Sequence, residues 1–271
     1  MATLADAAYG RSRSPIFAEF IDRWIYVFMA GLFLVVVLAG FLPDSAMKLA
    51  AVQAGQRAPF PVILHVHAVL MGSWLLLLFA QTMLVATGYR GMHRQLGLAA
   101  FALAPALVLV GFFLIPAMDG QIAAGIRHGP PAVQAQLKPI FGIVLDIMLL
   151  QIRIGILFPL LIAWGIAVRR SDAGLHKRLM VLGTAAPLAA ATDRMQWLPT
   201  TMPHSPLTAD VWPLVVLLPM FAWDLYRLRR VHKAYVIYLG ASLVLSITTH
   251  LLWGTALWHG IAKGLIGAGD L

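Results

Sequence analysis

The chain has no cysteine and a single glutamate, Glu19, among its 271 residues. Without thiols it can build no disulfide framework, thiolate zinc site or iron–sulfur cluster of its own. Charge of either sign is scarce: Asp, Glu, Lys and Arg make up 11% of the chain, against roughly 25% in soluble domains. Phosphate-cradling and catalytic motifs are also missing. The sequence contains no G-x-x-x-x-G-K-[ST], no G-x-G-x-x-G in a suitable context, no H-E-x-x-H and no G-x-S-x-G. The nine histidines are too scattered for the histidine boxes of membrane di-iron desaturases. The last apolar run has no lysine to carry a retinal Schiff base.

What is present is apolar. Hydrophobic residues make up 61% of the chain and mean hydropathy is +0.83, the balance of a chain solvated mainly by lipid. A helix needs about 20 apolar residues to cross the hydrocarbon layer. Seven spans are predicted, at 24-43, 61-87, 95-118, 140-168, 178-198, 211-227 and 234-258, in one all-α transmembrane domain covering 1-271. The first run follows a polar segment without a small-residue cleavage site, so it reads as a retained span. The sixth is short and holds Pro213 and Pro219.

Charge placement supports that count. With the N-terminus inside, the inner segments hold Arg11, Arg13, Arg23, Arg90, Arg94, Arg169, Arg170, Lys177, Arg178, Arg227, Arg229, Arg230 and Lys233. The outer ones hold only Lys48, Arg57, Arg127, Lys138 and Lys263, the inward bias expected of membrane proteins. Dropping the sixth span would move Arg227, Arg229 and Arg230 outside. The net charge of +9 therefore reads as membrane anchoring, not nucleic-acid binding. The expectation is a bacterial-type inner-membrane protein with membrane lipids, and possible further membrane subunits, as partners. Its C-terminus is expected outside. The segment 119-139 includes Gly129-Pro130-Pro131 and has room for a small interfacial helix. A faint repeat, with His93, His176 and His232 each followed by a basic residue at a span start, suggests one helix followed by three hairpins.

Ionisable residues inside apolar spans mark ligand or ion sites by default. Arg153 lies near the middle of the fourth span, with Asp146 two turns before it. By a rise of 1.5 Å per residue, His65 and His67 lie about 6–9 Å below the outer boundary and His250 about 12 Å below it. Asp146 and Asp193 fall in the same layer. His65 and His67 point about 200° apart on an unbroken helix, so only one can face inward. His67 shares its face with Met71, Trp74 and Gln81, and His250 shares its face with Ser246 and Trp253. Asp146 and Arg153 are about 10 Å apart along their axis, so Arg153 needs another acceptor, such as Asp193, Gln81 or freed backbone carbonyls near Pro187. His93, His176 and His232 read as anchors beside lipid phosphate.

The pattern His65-Val66-His67, then Gln81, then His93-Arg94-Gln95-Leu96-Gly97, then His176-Lys177-Arg178-Leu179-Met180 resembles a group of bacterial multi-pass membrane proteins of uncharacterised function. It is more loosely similar to transmembrane b-type cytochromes, the bis-histidine ferric reductases, which place histidines on hydrophobic helices beside an H-x-x-L-G turn. That likeness implies haem. The departure is that those families pair histidines inside the bundle at both faces, whereas the inner histidines here stand at helix starts.

Two functional expectations follow. One is a haem- or metal-dependent oxidoreductase. Haem b would sit between His67 and His250, with Trp74 and Trp253 packing nearby and Arg153 on a propionate. A metal-hydrolase variant would hold zinc with His67, His250 and Asp146 or Asp193, leaving one position for water, with His65 also among the candidate ligands. The other is a transporter, sensor or accessory subunit without catalysis, in which a mid-membrane polar site binds a solute.

Overall fold

The computed structural model describes residues 15–271; Arg11 and Arg13, assigned above to the inner side, lie outside the described residues. The chain is all-α and multi-pass. Among the described residues, six helical stretches are long and apolar enough to cross a membrane: Ile16–Gln53, Val62–Ala86, Arg90–His128, Pro131–Ala167, Leu207–Leu228 and Lys233–Leu252. Their outward faces carry Val35, Leu42, Phe112, Phe113, Leu243 and Leu251, all exposed. Exposed apolar surface on this scale marks a membrane-facing belt.

The elements are α1 (Pro15–Gln53), α2 (Val62–Ala86), α3 (Arg90–Leu96), α4 (Ala100–His128), α5 (Pro131–Leu137), α6 (Phe141–Ala167), α7 (Ala173–Ala185), α8 (Leu188–Thr192), α9 (Leu207–Leu228), α10 (Lys233–Leu252) and α11 (Ala256–Leu265). The interfacial helix expected within 119-139 is α5, and α4 runs on to His128 before it. The run expected at 234-258 ends earlier, at Leu252. There Gly254 turns the chain with φ +70, a conformation open to glycine at little cost, and α11 follows.

One expectation fails outright. The segment 178-198 is not a single long helix. It breaks at Pro187 into α7 and α8, because proline lacks the N–H that an unbroken helix needs and its ring crowds the carbonyl four residues back. Both pieces are packed inside the protein: Leu179, Leu182, Ala185, Leu188 and Ala191 are all buried. α8 lies so close to α1 that a Cβ on Gly40 would collide with the Ala191 carbonyl oxygen. Small residues permit such backbone approach between membrane helices.

The ends of the helices sort into two faces. At the basic end, the Arg23 guanidinium donates to the Ala86 carbonyl. There Arg227 pairs with Asp22 at 2.7 Å, and Lys233 pairs with Asp172 at 2.7 Å. Asp172 also caps α7, accepting from the Leu175 N–H at 2.8 Å. At the opposite end, Arg194 donates to Asp44 at 3.2 Å, and Arg127 donates to Asp270 through Nε at 2.9 Å.

Candidate functional site

Arg153 finds its acceptor in a residue the span boundaries left out. Its guanidinium pairs with Asp210 and approaches the Ala209 carbonyl at 3.4 Å. The other carboxylate oxygen of Asp210 accepts from Ser246 Oγ at 2.8 Å and meets His250 Nε2 at 2.9 Å. One carboxylate on the first turn of α9 thereby ties α6 to α10. The shared face of Ser246 and His250 is as expected; the partner is new. The group sits beside a chamber of about 150 Å³. Asp146 is engaged separately, accepting from the Gly254 N–H at 2.9 Å and meeting His259 Nε2 at 3.0 Å.

These bonds determine how the expected ligand sets are arranged. His65 is exposed, beside Phe60. His67 is half-buried with Nδ1 unpartnered. Asp193 is exposed. The Trp253 indole donates to the Pro203 carbonyl at 2.9 Å, and the Trp74 indole donates to Thr184 Oγ1 at 3.1 Å. Helix α2 packs chiefly on α1 and α4, whereas α10 packs on α6 and α7, and α7 touches both. His67 and His250 therefore stand on helices whose main neighbours differ. Among the described residues, no three His, Asp or Glu side chains gather as a metal site. Of the five residues His65, His67, Asp146, Asp193 and His250, Asp146 meets His259 and His250 meets Asp210 rather than one another.

A wide opening lies at the basic end. A cavity of about 900 Å³ is enclosed by α1, α2, α3, α4, α6 and α7. Its apolar wall includes Trp74, Leu77, Leu78, Phe101, Ile166 and Met180. Its mouth carries Arg23, Arg90, Arg94, Arg169, Arg170 and Lys177. Among the described residues, none of these six cations forms a salt bridge. Arg23, Arg169 and Lys177 lie against the rings of Trp24, Phe101 and Tyr26. Among the described residues, the one acid on the cavity, Asp22, is held by Arg227 and by the Trp223 indole at 2.8 Å.

Polar atoms in the cavity wall are also left over. Among the described residues, seven buried side-chain oxygens and nitrogens lack a protein partner, and three of them, Tyr26 Oη, Gln81 Oε1 and His93 Nδ1, belong to residues lining this cavity. A buried group without a partner forfeits about 1–3 kcal/mol, so such clusters mark places where something else bonds. His176 also lines the cavity, and its Nδ1 meets the Gly165 carbonyl at 2.8 Å. A carbonyl only accepts, so Nδ1 carries the proton and Nε2 keeps its lone pair.

Next to this open site lies a closed one. Arg178 donates to Asp224 at 2.7 Å through Nε, Tyr235 donates to the same carboxylate at 2.6 Å, and Arg178 also reaches the Gly174 carbonyl at 2.9 Å. This knot joins α7, α9 and α10, with each nitrogen of the guanidinium and both carboxylate oxygens engaged.

No protein-family model, curated protein or solved structure matches the chain.

Proposed function

We propose that this multi-pass membrane protein binds an acidic, amphipathic small molecule in the cavity between α2, α3, α6 and α7. In this reading it acts as a carrier or receptor. The observation that carries the reading is the pairing of six uncompensated cations with an apolar wall in one cavity of about 900 Å³. Cavities of that size lie at the upper end of those that hold small organic ligands. The cations would take a carboxylate or phosphate, and the apolar wall would take a chain or ring system.

The basic end faces the cytoplasm in this proposal, following the inward bias of Lys and Arg. The α7–α8 segment completes a seventh crossing inside the protein, which leaves the C-terminus outside. A broken helix beside a membrane-embedded site is an arrangement transporters use.

The test is native mass spectrometry of the purified protein offered oleate, phosphatidylglycerol or phosphatidylcholine of matched chain length. The two acidic probes are expected to be retained, and the choice between them separates carboxylate from phosphate. The Arg94→Gln/Arg170→Gln variant should lose them about thirtyfold, taking each cation near a membrane surface as worth about 1 kcal/mol. Equal retention of phosphatidylcholine, or no loss in the variant, rejects the reading.

A further inference from the structure

The six cations around the cavity are not equally free. Arg23 donates to the Ala86 carbonyl, Arg169 donates to the Ile166 carbonyl at 2.8 Å, and Lys177 rests over the Tyr26 ring. Among the described residues, Arg90, Arg94 and Arg170 have no hydrogen bond, salt bridge or ring contact. Arg90 and Arg94 stand four apart on α3, so they share a face, and like charges at that spacing repel. An anion between them relieves that repulsion. Each of the three guanidiniums keeps a planar fork of five N–H donors, the geometry that grips carboxylate or phosphate.

Charge and oxygen count choose the headgroup that suits three free forks. A carboxylate has one charge and two oxygens, and a single guanidinium pairs with both. A phosphodiester, the link in common membrane lipids, also carries one charge. A phosphate monoester carries a charge of about −1.5 to −2 at neutral pH and three acceptor oxygens, one for each arginine. The apolar wall at Leu77, Leu78 and Met180 is surface that free phosphate would leave unused.

We propose that the ligand of this cavity is a lipid phosphate monoester, with Arg90, Arg94 and Arg170 around the phosphate and the apolar wall around the hydrocarbon chain. The inference rests on the amphiphile reading above and narrows it to one headgroup class.

The experiment is native mass spectrometry of the purified full chain in an uncharged detergent, offered dodecyl phosphate, dodecyl sulfate and laurate. The three match in chain length and differ in headgroup. At about pH 8, dodecyl phosphate is expected to be retained at least about tenfold better than either monoanion. At about pH 5, below the second ionisation of a phosphate monoester near 6, its advantage over dodecyl sulfate should vanish. Asp22, Tyr26, His176 and His93, whose ring bonds the Gln81 backbone, are the titratable groups that join the six cations on the wall. At that pH both ligands are monoanions, so protonation of the wall acts on the two alike.

Arg94→Gln/Arg170→Gln should abolish the phosphate preference at about pH 8. Its unfolding midpoint should stay near that of the parent, because both side chains are exposed. Equimolar inorganic phosphate should not displace dodecyl phosphate; displacement assigns the site to free phosphate and overturns the proposal. Equal retention of all three ligands, each weakened by the double variant, overturns the monoester and leaves the amphiphile reading standing. A phosphate preference that survives the double variant overturns the assignment to these arginines. If none of the three ligands is retained, both readings fall.

Discussion

The two ends of this bundle treat their ionisable residues in opposite ways. At the end holding Asp210, the two carboxylates that tie helices together are spoken for: Asp210 serves Arg153, Ser246 and His250, and Asp146 serves Gly254 and His259. At the basic end, six cations and three buried polar atoms around one cavity have no such partner. A charge with its partner built in holds helices together. A charge and cavity without one wait for something the chain does not supply. Intramembrane ionisable residues are read as functional by default, but in this molecule Arg153, the deepest of them, belongs to the satisfied group.

That contrast predicts that mutations at satisfied sites change stability, and mutations at the open cavity change binding. The largest effect on stability is expected from Asp224→Ala, which strands the buried Arg178 guanidinium. Removing one partner of a buried pair costs about 3–5 kcal/mol, visible as a lowered unfolding midpoint in detergent, while ligand retention by the protein that remains folded stays intact. Asp210→Asn comes next. It keeps the shape but weakens bonds to Arg153, Ser246 and His250, and the partly exposed site limits the loss to about 1–3 kcal/mol. A variant that unfolds no more easily than the parent would show that the Arg153 group is not structural.

Arg94→Gln/Arg170→Gln should behave in the reverse manner. Both side chains are exposed, so the unfolding midpoint should move by no more than about 0.5 kcal/mol, while acidic-amphiphile retention collapses. Destabilisation with unchanged retention would erase the distinction between the two ends.

The smallest expected effect is that of acid. Asp172 is held below the usual carboxylate range, chiefly by the hydrogen bond from Lys233 and then by the Leu175 N–H. A depressed carboxylate contributes stability above its unfolded value, near 4. That contribution fades as pH falls from there through the lower folded value. Acid unfolding should therefore shift slightly to higher pH in Lys233→Gln, and an unshifted midpoint would remove this bridge from the account.

Much of the architecture could be read from the residues alone. Runs of apolar residues mark the six long helices, and charge asymmetry marks the basic end. The common face of Ser246 and His250 follows from helical spacing. Asp210 was hidden by a boundary: the sixth span was drawn from residue 211, which left this acid in a loop, although its place on the first turn of α9 lets it reach α6 and α10. His259 was lost in the same way, one residue past a span end that is really the Gly254 corner. Pro187 carried the signal for the broken α7–α8 pair. The cavity was not legible at all. It arises where α3 and the start of α7 meet α2, and no local spacing relates His93 to His176. Taken singly, each histidine beside a basic residue reads as a lipid anchor; only packing shows that they share one space.

Photolabelling asks most directly whether that space is a binding site. A diazirine fatty acid, crosslinked to the protein in lipid nanodiscs and mapped by peptide sequencing, should mark cavity-wall residues such as Leu77 and Met180, and excess oleate should suppress that labelling. Labels spread over the lipid-facing Phe112, Phe113 and Leu243, with none enriched at Leu77 or Met180, would contradict it.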